Sequence, residues 1–152
     1  MISKMNLEMS TEEKELLLKD LCARLPYHGL MIYWKGENFN MIDIGFGRVT
    51  LLKPFMSMTE GTPLIEEVRP YLRPLSSMTD EESDEIKSMG FGYWTTMINN
   101  DLRAWGPMSL LDAIITHHKM VKLIDWLNAH YFDFRGLIEK GLALEAPEDM
   151  YV

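Results

Sequence analysis

Cysteine is nearly absent from this 152-residue chain: Cys22 stands alone, so neither an internal disulfide nor a cysteine-rich metal cluster can form. No run of about 18 apolar residues occurs, so we expect no transmembrane helix. The N-terminus lacks a long apolar stretch behind a basic start, so we expect no signal peptide. Together these absences predict a cytoplasmic protein.

Basic residues are also scarce, because 15 Lys and Arg stand against 23 Asp and Glu, for a net charge of −8. The second half carries most of this charge: residues 77–152 hold 6 basic and 13 acidic side chains, whereas residues 1–76 hold 9 and 10. An acidic chain repels phosphate backbones at long range, so the net charge disfavours nucleic-acid binding. A weaker alternative is that the protein binds nucleic acid through Lys53, Arg69 and Arg73 of the predicted β region.

Motifs that carry catalysis are missing. The sequence has no Gly-x-Ser-x-Gly elbow, no Walker A loop, no Gly-x-Gly-x-x-Gly fingerprint and no His-Glu-x-x-His pattern. The stretch 45–48 (Gly-Phe-Gly-Arg) is too short to hold a phosphate, and a hairpin turn explains it. We therefore lean towards a non-enzymatic protein without a cofactor.

What is present favours one globular domain with one sizeable core. Hydrophobic residues make up 47% of the chain and charged residues 25%, the balance of an ordinary folded protein. We predict a single α+β domain over residues 10–147, flanked by tails at 1–9 and 148–152. Met9 is an alternative natural start.

The first half predicts a helix followed by a small antiparallel sheet of three to four strands. Ser10 and Glu13 form a capping box for a helix over 11–25, which Pro26 ends. The expected core-facing side of this helix comprises Leu18, Leu21, Cys22 and Leu25. Three strand-like runs follow at 30–35, 39–44 and 48–53, with tight turns between them, and a fourth is expected at 64–68. The proline-punctuated segment 54–74 is expected at a sheet edge or on the surface.

The second half predicts several helices. Thr79 and Glu82 form a capping box for an acidic helix over 80–89. Residues 93–108 suggest a packed loop or a short helix. Beyond Ser109 two apolar sets lie on opposite sides of a straight helix, which predicts a break near residues 117–119 and two helices. A single helix buried on both sides is the less favoured alternative. Asp133 is expected to cap a short helix over 134–140, with Gly141 at its left-handed end.

The densest group of polar and aromatic side chains that could bind a ligand or take part in catalysis lies near the C-terminus. We expect this group to make either fixed structural contacts or a small ligand pocket. Its members are Trp126, His130, Tyr131, Asp133 and Arg135. A metal site is disfavoured, because His117 and His118 point about 100° apart on a helix. Cys22 is expected in the core, where a thiol behaves as a small hydrophobe.

Three blocks of the chain carry a resemblance to other proteins: STEEKELLLKDLCARLPY (10–27), RPYLRPLSSMTDEE (69–82) and DWLNAHYFDFRGLIEKGLALEAP (125–147). They resemble a family of uncharacterised small proteins from Bacteroides-type gut bacteria and their phages. The resemblance implies a mobile-element context and brings no activity, cofactor or catalytic residue. Residues 83–124 fall outside it.

Two functions remain open from the sequence. The preferred one is an accessory protein that binds another protein through its acidic C-terminal half, because the charge is asymmetric and no catalytic constellation is evident. The alternative is a small enzyme or ligand-binding domain with a pocket around Trp126, His130, Tyr131 and Arg135.

Overall fold

A computed structural model describes residues 8–54, 59–90 and 110–151 of the protein. Three helices and six strands make up this part of the chain. The helices are α1 (Thr11–Arg24), α2 (Asp80–Ser88) and α3 (Leu110–Ala129). The strands are β1 (Met31–Trp34), β2 (Glu37–Gly45), β3 (Arg48–Leu52), β4 (Thr59–Gly61), β5 (Arg69–Leu72) and β6 (Leu144–Glu145). The α+β class is confirmed.

The six strands form one mixed sheet in the order β4-β3-β2-β1-β5-β6. Its centre is the predicted meander, since β1 pairs with β2 and β2 with β3 in antiparallel register. Strand β6 is parallel to β5 and places Leu144 opposite Tyr71. The sheet is therefore larger than the three to four strands predicted, because β4 extends the meander on one side and β5 and β6, from further along the chain, extend it on the other.

The fourth strand was predicted in the wrong place. Residues 64–68 contain a 3-10 turn at Ile65–Glu67 rather than a strand, and the fourth strand of the meander is β4. The side chain of Glu67 accepts a hydrogen bond from the Leu64 amide at 2.9 Å, a local bond that competes with sheet pairing.

The proline-rich segment was expected at a sheet edge or on the surface, but it contains an inner strand of the sheet. Strand β5 lies between β1 and β6, with Pro70 opposite Ile32. Past this proline the hydroxyl of Tyr151 bridges the two strands, donating to the Tyr71 carbonyl at 2.8 Å and accepting from the Met31 amide at 2.9 Å. A hydroxyl from the predicted tail thus supplies bonds between strands next to a proline that cannot donate.

Helix α1 begins at the predicted capping box, with both reciprocal bonds of Ser10 and Glu13 present, but the predicted buried side is confirmed only in part: Leu21 is buried and Leu25 packs against buried core residues. The buried residues are Leu17, Asp20, Leu21 and Arg24, whereas Leu18 and Cys22 are exposed. The apolar periodicity misses this side because it contains two charged residues. They are buried only because they pair with each other.

Helix α2 confirms the acidic helix and its Thr79–Glu82 capping box. The predicted break near residues 117–119 is wrong, since α3 runs unbroken over its 20 residues. No proline or glycine interrupts α3, so nothing in its sequence breaks the hydrogen-bond ladder. The prediction of a packed loop or short helix at residues 93–108 lies outside the described residues.

The predicted helix over 134–140 is also wrong, because this stretch forms turns. Gly136 has a φ of +74°, a left-handed conformation that interrupts a right-handed helix. Asp133 still acts as a cap, since its carboxylate accepts from the amides of Leu137 and Ile138, both at 2.9 Å. Gly141 is left-handed as predicted, with a φ of +73°.

Buried apolar side chains of the described residues form two clusters where the sequence predicts one core. The larger cluster joins α1 to one face of the sheet and includes Leu17, Leu21, Ile32, Met41 and Leu51. The smaller cluster joins α2, α3 and the segment after α3 through Ile86, Leu123, Trp126, Leu127 and Phe132. Contact between α1 and the carbonyl of Phe132 links the two.

Candidate functional site

Trp126 and His130 lie together on the last turns of α3. Their rings stack with centroids 3.9 Å apart, and Trp126 also stacks on Phe132 at 5.8 Å. The Nδ1 atom of His130 is 2.8 Å from the carbonyl oxygen of Trp126. These contacts place the pair on the smaller core cluster and hold the histidine by its own helix.

The side chains of Tyr131 and Asp133 contact other parts of the fold. Tyr131 stacks on Tyr151 at 4.2 Å and packs against the larger cluster. Burial raises the pKa of the Tyr131 hydroxyl. Asp133 has both carboxylate oxygens occupied by backbone amides. The predicted group therefore divides between two clusters.

Arg135 belongs to a buried ion-pair network that the sequence did not predict. Asp20 accepts from Nε and Nη2 of Arg24 at 2.8 and 2.9 Å, and from Nη1 of Arg135 at 2.7 Å. Arg24 also donates to the Phe132 carbonyl at 2.7 Å, and Arg135 to the Asn128 side chain at 3.1 Å. Asp20 and Arg24 are wholly buried. Their i, i+4 spacing was the available signal.

A cavity of about 330 Å³ lies between the start of α2 and the C-terminal segment. None of the five predicted site residues lines it. Its walls are Arg73, Ser77, Thr79, Glu82, Ala146, Pro147, Glu148 and Tyr151. Arg73 donates to both oxygens of Glu82, at 2.8 and 2.7 Å, and stacks over the Phe132 ring at 4.1 Å. The arginine is thus already engaged by a carboxylate.

The Arg73–Glu82 ion pair makes the stability of the fold depend on pH in the acidic range. Hydrogen bonds from Arg73 lower the pKa of Glu82 from 4.5 to about 2, against the opposing effect of burial. A carboxyl with a lowered folded-state pKa stabilises the fold above its unfolded pKa, and this contribution is lost as the pH falls from about 4.5 towards 2.

We therefore expect Glu82→Gln to be less stable than the wild-type protein at pH 7, with a difference that shrinks as the pH approaches 2. Urea unfolding of both proteins over this range measures it. A difference that does not change with pH would show that the carboxylate charge is not what the pair contributes.

The most exposed apolar side chain described is that of Phe46, at the tip of the β2–β3 hairpin, which is 107% exposed. Phe46 and Gly47 form a two-residue turn between Gly45 and Arg48, and their φ angles are +54° and +72°. Two positive φ values define a type I′ turn, whose first position favours asparagine or glycine. The sequence analysis identified this turn and did not single out its aromatic residue.

The turn is held on its β3 side by the segment 62–65. Arg48 donates through Nη1 to the Thr62 carbonyl at 2.9 Å, and the Val49 amide donates to the Pro63 carbonyl at 2.9 Å. The Ile65 amide donates to the Gly47 carbonyl at 3.0 Å. Phe46 therefore projects from a fixed backbone.

Within the described ranges, no three His, Cys, Asp or Glu residues lie where they can hold a metal ion, and no helix has the length and apolar character needed to cross a membrane. Comparison of the chain with family models, with curated proteins and with solved structures finds no match, so the family resemblance stays a prediction.

Proposed function

We propose that this protein acts by binding another protein, and that Phe46 is the side chain that anchors the contact. The carrying observation is the full exposure of Phe46 in a left-handed conformation. This is the non-enzymatic, protein-binding role preferred from the sequence, but with the contact at the β2–β3 turn instead of the acidic C-terminal half.

Phe46 costs the folded state free energy and returns none by packing. A left-handed conformation is unfavourable by roughly 1–2 kcal/mol for a residue with a Cβ atom, and a fully exposed ring buries no apolar surface on folding. Aromatic residues, phenylalanine included, are enriched at the centres of protein–protein interfaces. A strained, exposed aromatic residue is therefore better explained by a partner than by the fold.

Binding through this hairpin also has a small entropic cost. The hydrogen bonds from Arg48, Val49 and Ile65 fix the turn before a partner arrives. Loops that are already ordered avoid the cost of ordering on association.

Charge constrains which partners fit. The exposed side chains of α2 include Asp80, Glu81, Asp84 and Glu85, and the second half of the protein is the acidic half. Electrostatic complementarity mainly changes the rate of encounter and rejects partners of like charge. The partner we propose has an apolar pocket for Phe46 and a neutral or basic surface around it.

Photo-crosslinking tests the proposal on the full chain. With p-benzoylphenylalanine in place of Phe46, irradiation in an extract of the native host should give one defined crosslinked protein. The same photoreactive residue in place of Lys35, in the turn of the other hairpin, serves as the matched control. Absence of any product at position 46, or identical products at both turns, would count against an anchor at Phe46.

The fold itself offers a second prediction. Phe46→Asn should raise the free energy of unfolding by about 1 kcal/mol, because asparagine tolerates the left-handed conformation better. Urea unfolding measures the change. Phe46→Ala removes the same ring without relieving the backbone and should leave stability almost unchanged. A loss of stability in Phe46→Asn would mean that the ring contributes to folding.

A further inference from the structure

We infer that the cavity between the start of α2 and the C-terminal segment binds a small organic amine, a ligand that carries an ammonium group on an apolar body. This inference goes beyond the proposed function and does not rest on it. The cavity has a volume of about 330 Å³, and small-molecule sites have volumes of about 300–1,000 Å³. The cavity is therefore large enough for a small ligand.

The charged residues in the walls of the cavity favour a cation. One of them is basic, Arg73, and two are acidic, Glu82 and Glu148, so the walls carry a net charge of −1. Hydrogen bonds from Arg73 lower the pKa of Glu82 to about 2, which keeps this carboxyl ionised at neutral pH. The whole protein has a net charge of −8, which attracts cations at long range.

The groups that an anion would use are already engaged. Both terminal nitrogens of Arg73 donate to the carboxylate of Glu82, at 2.8 and 2.7 Å. At the start of α2, the amide of Glu82 donates to the hydroxyl of Thr79 at 3.2 Å. An anionic ligand would have to displace Glu82 from Arg73 and would also be repelled by Glu148. The ligand is therefore expected to be a cation.

Hydrogen-bond acceptors remain for an ammonium group. A carboxylate offers about four lone-pair sites, and Glu82 uses three of them, two for Arg73 and one for the Thr79 amide at 3.0 Å. Within the part of the chain that the structure describes, no hydrogen bond or ion pair engages the Glu148 carboxylate. The Ser77 hydroxyl donates to a backbone carbonyl at 2.7 Å, so its oxygen can accept. An ammonium group only donates, and it therefore suits these walls.

The walls that come from the C-terminal segment are mainly apolar and are held in place. They include Ala146, Pro147 and Tyr151. The Ala146 amide donates to the Leu72 carbonyl at 2.8 Å, and the Tyr151 ring stacks on Tyr131 at 4.2 Å. Ligand sites are mostly apolar, contain a few placed polar groups and are usually formed before the ligand binds. The apolar body of the amine is expected to pack against this segment.

An NMR titration of the full chain at constant ionic strength tests the inference, with phenethylammonium chloride as the probe. We expect saturable shifts of backbone amides in the segments 77–82 and 146–151. The alcohol 2-phenylethanol, which has a hydroxyl in place of the ammonium group, should bind at least about threefold more weakly, and 3-phenylpropionate should not bind. Absence of saturable shifts with the amine would overturn the site. Equal binding of the alcohol, or tighter binding of the carboxylate, would overturn the choice of ligand.

Three variants locate the binding. Glu148→Gln removes a carboxylate from the walls and should weaken binding of phenethylammonium roughly two- to fivefold, the effect of an exposed ion pair. Asp149→Asn makes the same change of charge at the next residue, which does not line the cavity, and should leave binding almost unchanged. Ala146→Leu fills part of the cavity and should abolish the shifts.

Two outcomes with these variants would contradict the inference. Equal weakening by Glu148→Gln and Asp149→Asn would show that the amine is attracted only by the overall charge. Unchanged binding in Ala146→Leu, with the rest of its amide spectrum like that of the wild type, would show that the amine binds elsewhere.

Discussion

Asp20→Ala should destabilise the protein by about 3–5 kcal/mol, the cost of removing one partner from a buried ion pair. The carboxylate of Asp20 is wholly buried and accepts three hydrogen bonds from two guanidinium groups. Its removal leaves Arg24 charged in the interior, since arginine does not deprotonate in proteins. Urea unfolding at pH 7 measures the loss.

Leu18→Ala supplies the matched control for this variant. It truncates an apolar side chain on the same helix, but that side chain is 39% exposed. We expect this control to cost far less than Asp20→Ala. The opposite order would mean that the apolar side predicted from sequence, with Leu18 and Cys22, faces the core after all.

Tyr151→Phe should cost about 1–3 kcal/mol, since it removes one hydroxyl and leaves two strand groups without that partner. The amide of Met31 and the carbonyl of Tyr71 both bond to this hydroxyl beside Pro70. Burial raises the pKa of Tyr151, which keeps the hydroxyl protonated and able to donate. Hydrogen exchange of the Met31 amide reports the local effect, and urea unfolding reports the global one.

Tyr27→Phe is the control for the loss of a tyrosine hydroxyl, because Tyr27 is exposed, and we expect it to be neutral. An equally neutral Tyr151→Phe, with unchanged exchange at Met31, would show that residues beyond Pro147 do not hold β1 and β5 together.

Local signals predicted local structure well in this protein. Both capping boxes begin helices where expected, and the β1–β2–β3 meander and its left-handed turns follow from periodicity and glycine placement. Each of these features depends on residues a few positions apart, which is the range over which sequence patterns act.

The failures share a long-range cause. Strand β5 is an inner strand because residues 144–151 add to it from the other end of the chain. The buried side of α1 contains Asp20 and Arg24 because Arg135, 115 positions away, completes their pairing. A pattern that equates burial with apolar residues cannot detect a buried helix side that contains an ion pair. A rule that places proline at sheet edges cannot foresee a distant hydroxyl that bonds to both strands beside the proline.

The turn that presents Phe46 could be predicted in part from the sequence. The Gly-Phe-Gly triplet identified the turn, and the left-handed conformation at its first position follows from a two-residue hairpin loop. What sequence did not show is that no other part of the described ranges covers the ring, since exposure depends on the whole fold. The group of Trp126, His130, Tyr131, Asp133 and Arg135 shows the converse, because these side chains are close in sequence but contact different parts of the fold, and none of them lines the cavity beside α2.

The affinity of the crosslinked partner for Phe46→Ala tests the central claim most directly, measured by calorimetry beside the wild-type protein. An anchor residue typically costs 2 kcal/mol or more when truncated to alanine, so we predict a loss of affinity of at least about thirtyfold with unchanged stability to urea. Equal affinities for the two proteins would contradict the account.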